Sequence, residues 1–204
     1  MRSVAGPSLR LCRSRRRAMA ALGSVAVVAL AACGSGSPAS APRPAISTAA
    51  AHPTPAALLP TLNRALVEQT HGQYAAAVVD FLNIVKADPA SQIAWYDLGV
   101  IAHLHAEDAQ AINDYEAALA GDPSYVPALY NLAVLETPTR PKDAAVRYGD
   151  VIRLQPANAA AHLNLGFVLK SLGQPVAAET QWNDAIRLAP ALSARVPAAD
   201  RTAK

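Results

Sequence analysis

Residues 92–125 read QIAWYDLGVIAHLHAEDAQAINDYEAALAGDPSY, and residues 159–192 read AAAHLNLGFVLKSLGQPVAAETQWNDAIRLAPAL. Set in register, Leu98-Gly99 falls on Leu165-Gly166, Ala111 on Ala178, Tyr115 on Trp182, Ala118 on Ala185 and Pro123 on Pro190. Working outward, Pro89, Pro123, Pro156 and Pro190 are 34, 33 and 34 residues apart. Each closes a similar phrase: Val85-Lys86-Ala87-Asp88, Leu119-Ala120-Gly121-Asp122, Ile152-Arg153-Leu154-Gln155 and Ile186-Arg187-Leu188-Ala189. A period of this size marks a stack of supersecondary units, each burying its apolar face against the next.

The local chemistry predicts two helices per unit. Gly99 and Gly166 are small where the first helix meets the second, and Ala111 and Ala178 are small on the facing side. Phe81, Tyr115, Tyr148 and Trp182 share one position of the second helix and fill the gap toward the next unit. Gly72-Gln73 and Gly173-Gln174 separate the two helices by glycine stop chemistry. Pro141 and Pro175 fall in the first turn of their second helices, where a missing N–H costs little. The recurring Pro after each second helix ends it.

In these positions residues 58–192 resemble the tetratricopeptide repeat, as four units: 58–91, 92–125, 126–158 and 159–192. The resemblance implies an all-α fold, a right-handed α-solenoid of about four helix-turn-helix repeats. Three places depart from the pattern. Thr61 and Arg64 replace a large apolar pair in the first unit, which weakens its first helix. The third unit is one residue short within Thr137-Pro138-Thr139-Arg140-Pro141, and the expectation is a rebuilt turn between unaltered helices. The tail 193–204 is too short for a full capping helix, so the outer face of the last helix, near Trp182 and Ile186, is expected to be partly exposed.

Composition agrees. Of 204 residues 47 are Ala, and only 5% are aromatic, which favours closely packed helices over a β-sandwich. The formal charge of +3 hides an asymmetry. The first 32 residues carry Arg2, Arg10, Arg13, Arg15, Arg16 and Arg17 and no acid. The rest has 12 basic against 15 acidic residues, so it lacks the basic stripe that nucleic acid requires.

That N-terminal segment reads as an export signal. Residues 18–32 are apolar and uncharged, too short for a membrane span and suited to a signal-peptide core. Leu30-Ala31-Ala32-Cys33 resembles a bacterial lipobox. The resemblance implies cleavage before Cys33 and a diacylglyceryl group on its thiol, with the protein lipid-anchored on the outer face of the plasma membrane. Ser14-Arg15-Arg16 leaves twin-arginine export open beside the general route. Residues 33–57 follow as a Pro/Ala-rich tether that cannot build a core. A flexible coil of that length reaches about 25–30 Å.

In the family the first helices line a concave groove that binds ligands. The matched positions give four columns. One reads Asn63, Asp97, Asn131 and Asn164, and the residue before it Leu62, Tyr96, Tyr130 and Leu163. Three residues after the polar column come Leu66, Val100, Val134 and Phe167, and three further on Gln69, His103, Thr137 and Lys170. Each Asn side chain offers two donors and an acceptor, suited to clamping the backbone of an extended peptide, as asparagine ladders do in related repeat proteins. Tyr96, Tyr130 and Phe167 would supply apolar pockets. The basic pair that grips a terminal carboxylate in some co-chaperones is missing, because Lys170 alone is basic in these columns.

No residue set points to catalysis, a metal or a cofactor. His103 and Glu107 share a helical turn but have no third ligand, and both cysteines, Cys12 and Cys33, lie near the N-terminus. No phosphate loop and no small-molecule substrate site is evident. The reading is a non-catalytic, membrane-anchored adaptor that binds a protein or extended peptide. The alternative is an assembly factor for a secretion or pilus machine, and an enzyme or enzyme accessory is the third class.

Overall fold

The computed structural model describes residues 52–200. The export segment, Cys33 and most of the tether lie outside the described residues. Eight α-helices follow one another as four antiparallel pairs: α1 (Leu59–Thr70) with α2 (Tyr74–Ala87), α3 (Gln92–Leu104) with α4 (Asp108–Gly121), α5 (Val126–Glu136) with α6 (Pro141–Leu154), and α7 (Ala159–Ser171) with α8 (Pro175–Leu188). Each helix packs chiefly against its neighbours in the chain, and no strand occurs among the described residues. The fold is an all-α solenoid, as the repeat pattern predicts.

The boundaries follow from the sequence. Asp88, Asp122, Gln155 and Ala189 end α2, α4, α6 and α8 in extended backbone, since the following proline disfavours the α region for the residue before it. Pro141 and Pro175 open α6 and α8. Gly72 and Gly173 take φ of +73° and +74° between the helices of the first and last pairs. Their neighbours close the C-caps, with Gln73 N–H donating to the Glu68 carbonyl and Gln174 N–H to that of Leu169. The second pair uses Ala106 for the same turn, at φ +60°, an uncommon backbone for a residue with a Cβ.

Phe81, Tyr115, Tyr148 and Trp182 are all buried, one per pair, with small residues beside them. The close approach is to the ring rather than to the facing alanine. A Cβ on Gly99 would lie 2.7 Å from the Tyr115 ring, and one on Gly166 2.3 Å from Trp182 Nε1. The first pair forms despite Arg64. That guanidinium holds the buried Asp80 carboxylate through Nε at 2.5 Å and Nη2 at 2.6 Å, so the departure from pattern is a charge pair.

Two expectations are corrected. In the third pair the missing residue comes out of the helix, not the turn: α5 spans 11 residues where α3 and α7 span 13, and the turn after it, 137–140, is longer than 105–107 and 172–174. Pro138 has no N–H to continue the α5 ladder, and Thr139 and Arg140 both donate to the Glu136 carbonyl instead. The last helix is covered at Trp182, while Ile186 stays partly exposed as expected. The tail turns through two short 3-10 segments, Pro190–Arg195 and Ala198–Asp200, and seats Val196 against Leu163, Ala178, Trp182 and Ala185. Trp182 is 2% exposed and Val196 1%. Val196 follows Pro190 by six residues, as Trp95, Leu129 and His162 follow Pro89, Pro123 and Pro156. Val196 therefore stands at the same offset after its proline as the side chains that open the second, third and fourth pairs.

Candidate peptide-binding groove

The first helices of the pairs carry Tyr96, Val100 and His103 of α3, and their equivalents, along one face. At 100° per residue these lie opposite the face formed by Trp95, Leu98, Ala102 and His105. Two interpair brackets organise the groove. Asn131 Nδ2 donates to the Tyr96 hydroxyl at 3.3 Å and faces that of Tyr115 at 3.5 Å. Asn164 Nδ2 repeats this one pair later, to Tyr130 at 2.9 Å and Tyr148 at 3.3 Å. Both amides thus spend their donors on tyrosine hydroxyls. What remains toward a ligand is the amide oxygen as acceptor and the tyrosine O–H as donor, a complementary set for a peptide backbone.

The aromatic framework is continuous across the middle pairs. Tyr96 sits 5.8 Å from Tyr115 and 5.5 Å, edge-on, from Tyr125, while Tyr130 meets Tyr148 edge-on at 5.7 Å. Phe167 meets Trp182 edge-on at 5.3 Å. These contacts fix the rings, so little rotamer freedom is left to lose on binding. Burial pushes the Tyr115 and Tyr125 hydroxyls up to about 12, with the Asp97 carboxylate adding to the effect.

The ends of the columns differ from the middle. Asn63 is exposed at the first pair. Asp97 is buried, and the equivalents of its tyrosine partners are Leu62 and Phe81, which have no hydroxyl to offer. Burial pushes its carboxyl up to about 6, and a side-chain hydrogen bond from Gln69 opposes the rise. At the far end Lys170 is held by Asp200 of the tail, with its ammonium 5.7 Å from the Trp182 ring centroid. Its charge is already matched within the chain. His103 Nδ1 pairs with Asp108 Oδ1 at 3.0 Å, and no cluster of three metal-binding side chains occurs among the described residues.

A buried ion cluster, absent from the expected site residues, lies in the third pair. Glu136 is fully buried, its Oε2 accepting from Arg147 Nε at 2.7 Å and its Oε1 lying 3.2 Å from Arg140 Nη2. The signal was present, since a glutamate stands in the column where α3 has Ala102 and α7 has Leu169. His162 fills its column as an aromatic would. Its Nε2 meets the Pro156 carbonyl at 3.1 Å, as Trp95 Nε1 meets that of Pro89 at 2.9 Å.

A tetratricopeptide repeat family model matches residues 62–125 and 139–193, more than half of the chain. The chain belongs to the tetratricopeptide repeat family. Its structure is similar to that of MamA from Desulfovibrio magneticus RS-1, at 20% identity and a TM-score of 0.57, covering 66% of this chain and 76% of that one. It is similar to pilF from Pseudomonas aeruginosa at 24% identity and a TM-score of 0.57, covering 66% of this chain and 62% of that one. The first tetratricopeptide domain of Spaghetti, solved bound to an HSP90 peptide, matches at 20% identity and a TM-score of 0.53, covering 57% of this chain and 93% of that domain. None of the curated proteins matches the sequence. At these identities the likeness is one of fold. Membership of the tetratricopeptide repeat family, not that likeness, suggests a scaffold for protein–protein interaction.

Proposed function

We propose that this tetratricopeptide repeat protein is a non-catalytic adaptor of the bacterial cell envelope. Lipid on Cys33 holds it to the outer face of the plasma membrane, and an extended segment of a partner protein binds along Tyr96, Asn131, Tyr130, Asn164 and Phe167. The observation that carries the reading is the repeated Asn–Tyr bracket, which leaves alternating acceptors and donors over a fixed aromatic floor. Asn63 and Asp97 extend the column toward the first pair. Lys170, neutralised by Asp200, closes the other end and gives no purchase for a terminal carboxylate.

The anchor and the groove are tested separately. Cys33→Ala is expected to abolish fatty-acid labelling and cleavage after Ala32, because lipid attachment supplies the acyl chains that make anchoring stable. A mature protein that starts elsewhere and carries no lipid mass rejects the anchor. For the groove, the full chain captures its partner from detergent-solubilised membranes, and Tyr96→Ala with Tyr130→Ala removes that partner from the eluate. Arg187→Glu, on exposed α8 surface, leaves capture unchanged. The reverse pattern moves binding off the groove and favours the assembly-factor reading, in which an outer face docks onto a larger machine.

A further inference from the structure

The repeat allows one position to be compared in four settings. The residue before the buried aromatic of the second helix is Asp80, Asp114, Arg147 or Gln181. Three of these meet a side chain of the first helix in their own pair. Asp80 takes the Arg64 guanidinium, Arg147 takes the Glu136 carboxylate, and Gln181 Oε1 lies 2.8 Å from His162 Nδ1. Asp114 is 5% exposed, and its side-chain hydrogen bond comes from Gln110 on its own helix at 2.8 Å. No basic side chain pairs with it among the described residues. The three places from which a partner would come, the equivalents of Arg64, Glu136 and His162, hold Leu98, Ala102 and Trp95.

Those replacements open a cleft. A cavity of about 550 Å³ lies between α2, α3 and α4, with Val78, Leu82, Leu98 and Ala102 on its apolar wall and Asp114 inside it. In the third pair the same space is occupied by Glu136 and Arg147, and in the fourth by Leu169, His162 and Gln181. The cleft is on the face of α3 opposite Tyr96 and Val100, away from the groove. Its volume is in the range of pockets that enclose ligands, about 300–1,000 Å³. Glu107 at the rim adds a second negative group. Desolvation raises the Asp114 carboxyl above its ordinary value, as expected of an anion with no counter-ion.

We propose that this cleft binds an arginine of a partner protein, flanked by an aliphatic side chain, with Asp114 as the counter-ion of the guanidinium. The chain supplies its own precedent in the Asp80–Arg64 pair, where the same position grips a guanidinium through two bonds. A planar guanidinium suits this carboxylate better than an ammonium because it donates both bonds at once. The aliphatic neighbour fills the volume that Glu136 or Leu169 fills elsewhere. The site goes beyond the groove reading, and the two fail independently.

The two indoles provide the readout. Trp95 lines the cleft, and Trp182 lies in the last pair. The full chain, ¹⁵N-labelled on its indoles, is titrated with acetyl-Leu-Arg-Leu-amide and with acetyl-Leu-Gln-Leu-amide as the neutral control. The arginine peptide is expected to shift the Trp95 indole signal and leave that of Trp182 in place. The glutamine peptide, and the arginine peptide on Asp114→Asn, bind about tenfold or more weaker. Ala102→Leu fills the cleft with the side chain that α7 carries in that column, and abolishes the shift without touching a charge. Equal binding of both peptides overturns the proposal, as does a shift confined to Trp182 or no shift at about 1–10 mM peptide.

Discussion

Asn164 on α7 donates from Nδ2 to the hydroxyl of Tyr130 on α5, 34 residues earlier, so a groove side chain is also a bracket between helix pairs. Binding and stability are therefore coupled at this residue. Asn164→Ala is expected to cost about 0.5–1.5 kcal/mol for each bond lost. Tyr130→Phe removes one hydroxyl, keeps the ring, and loses the smaller share. Urea unfolding of both variants checks the order. Equal stability of Asn164→Ala and the parent chain removes the bracket from the account.

Asp97 gives the groove a pH dependence. Burial raises its carboxyl to about 6 in the fold, against an ordinary value of 3.8. A carboxyl raised on folding binds its proton more tightly in the native state. The stabilisation is fully present below the unfolded value and is lost as pH rises through about 6. One unit is worth about 1.4 kcal/mol, so the loss between pH 4 and pH 7 is about 1–3 kcal/mol. Asp97→Asn, the residue its column holds elsewhere, is expected to recover that amount at pH 7.5 and to gain nothing below pH 4. A chain whose stability is flat over this window rejects the assignment.

The repeat, its helix boundaries and its buried aromatics were legible because each rests on local chemistry recurring in register. Proline after the second helix, glycine between helices and one aromatic per pair each report a backbone or volume constraint that acts within a few residues. What was not legible lies between units. Arg64 looked like a weak helix position until Asp80, 16 residues on, accounted for it. The groove amides read as free donors, yet the tyrosines that use those donors sit 16 to 35 residues away. The tail looked too short to cap anything. A single side chain at the right spacing was enough, and the offset of six residues from Pro190 was visible in the sequence.

Ala106 holds a turn that the first and last pairs give to glycine. A left-handed residue with a Cβ costs about 1–2 kcal/mol, and glycine gives back part of that through the greater freedom of its unfolded chain. Ala106→Gly is therefore expected to stabilise by about 0.5–1 kcal/mol. The converse change, Gly173→Ala, destabilises by a similar amount, since nothing crowds its Cβ and only the φ of +74° opposes it. Thermal unfolding monitored by helicity checks both. Destabilisation by Ala106→Gly means that this turn is not limited by its backbone.

The tail is held by an apolar plug and an ion pair, and their magnitudes differ. Lys170 and Asp200 pair at the surface, where such a pair contributes about 0–1 kcal/mol and weakens with salt. Val196 is buried against Trp182 and Leu163, and Val196→Ala removes two methyl-sized groups, worth about 0.8 kcal/mol each before any cavity cost. Val196→Ala is therefore expected to cost about 1–2 kcal/mol, and Lys170→Ala less than half of that. Truncation after Ala189 uncovers Trp182 outright and should shift its emission to longer wavelength, as Val196→Ala does only in part. If Lys170→Ala releases the tail and Val196→Ala leaves the emission unchanged, charge rather than burial closes this end of the solenoid.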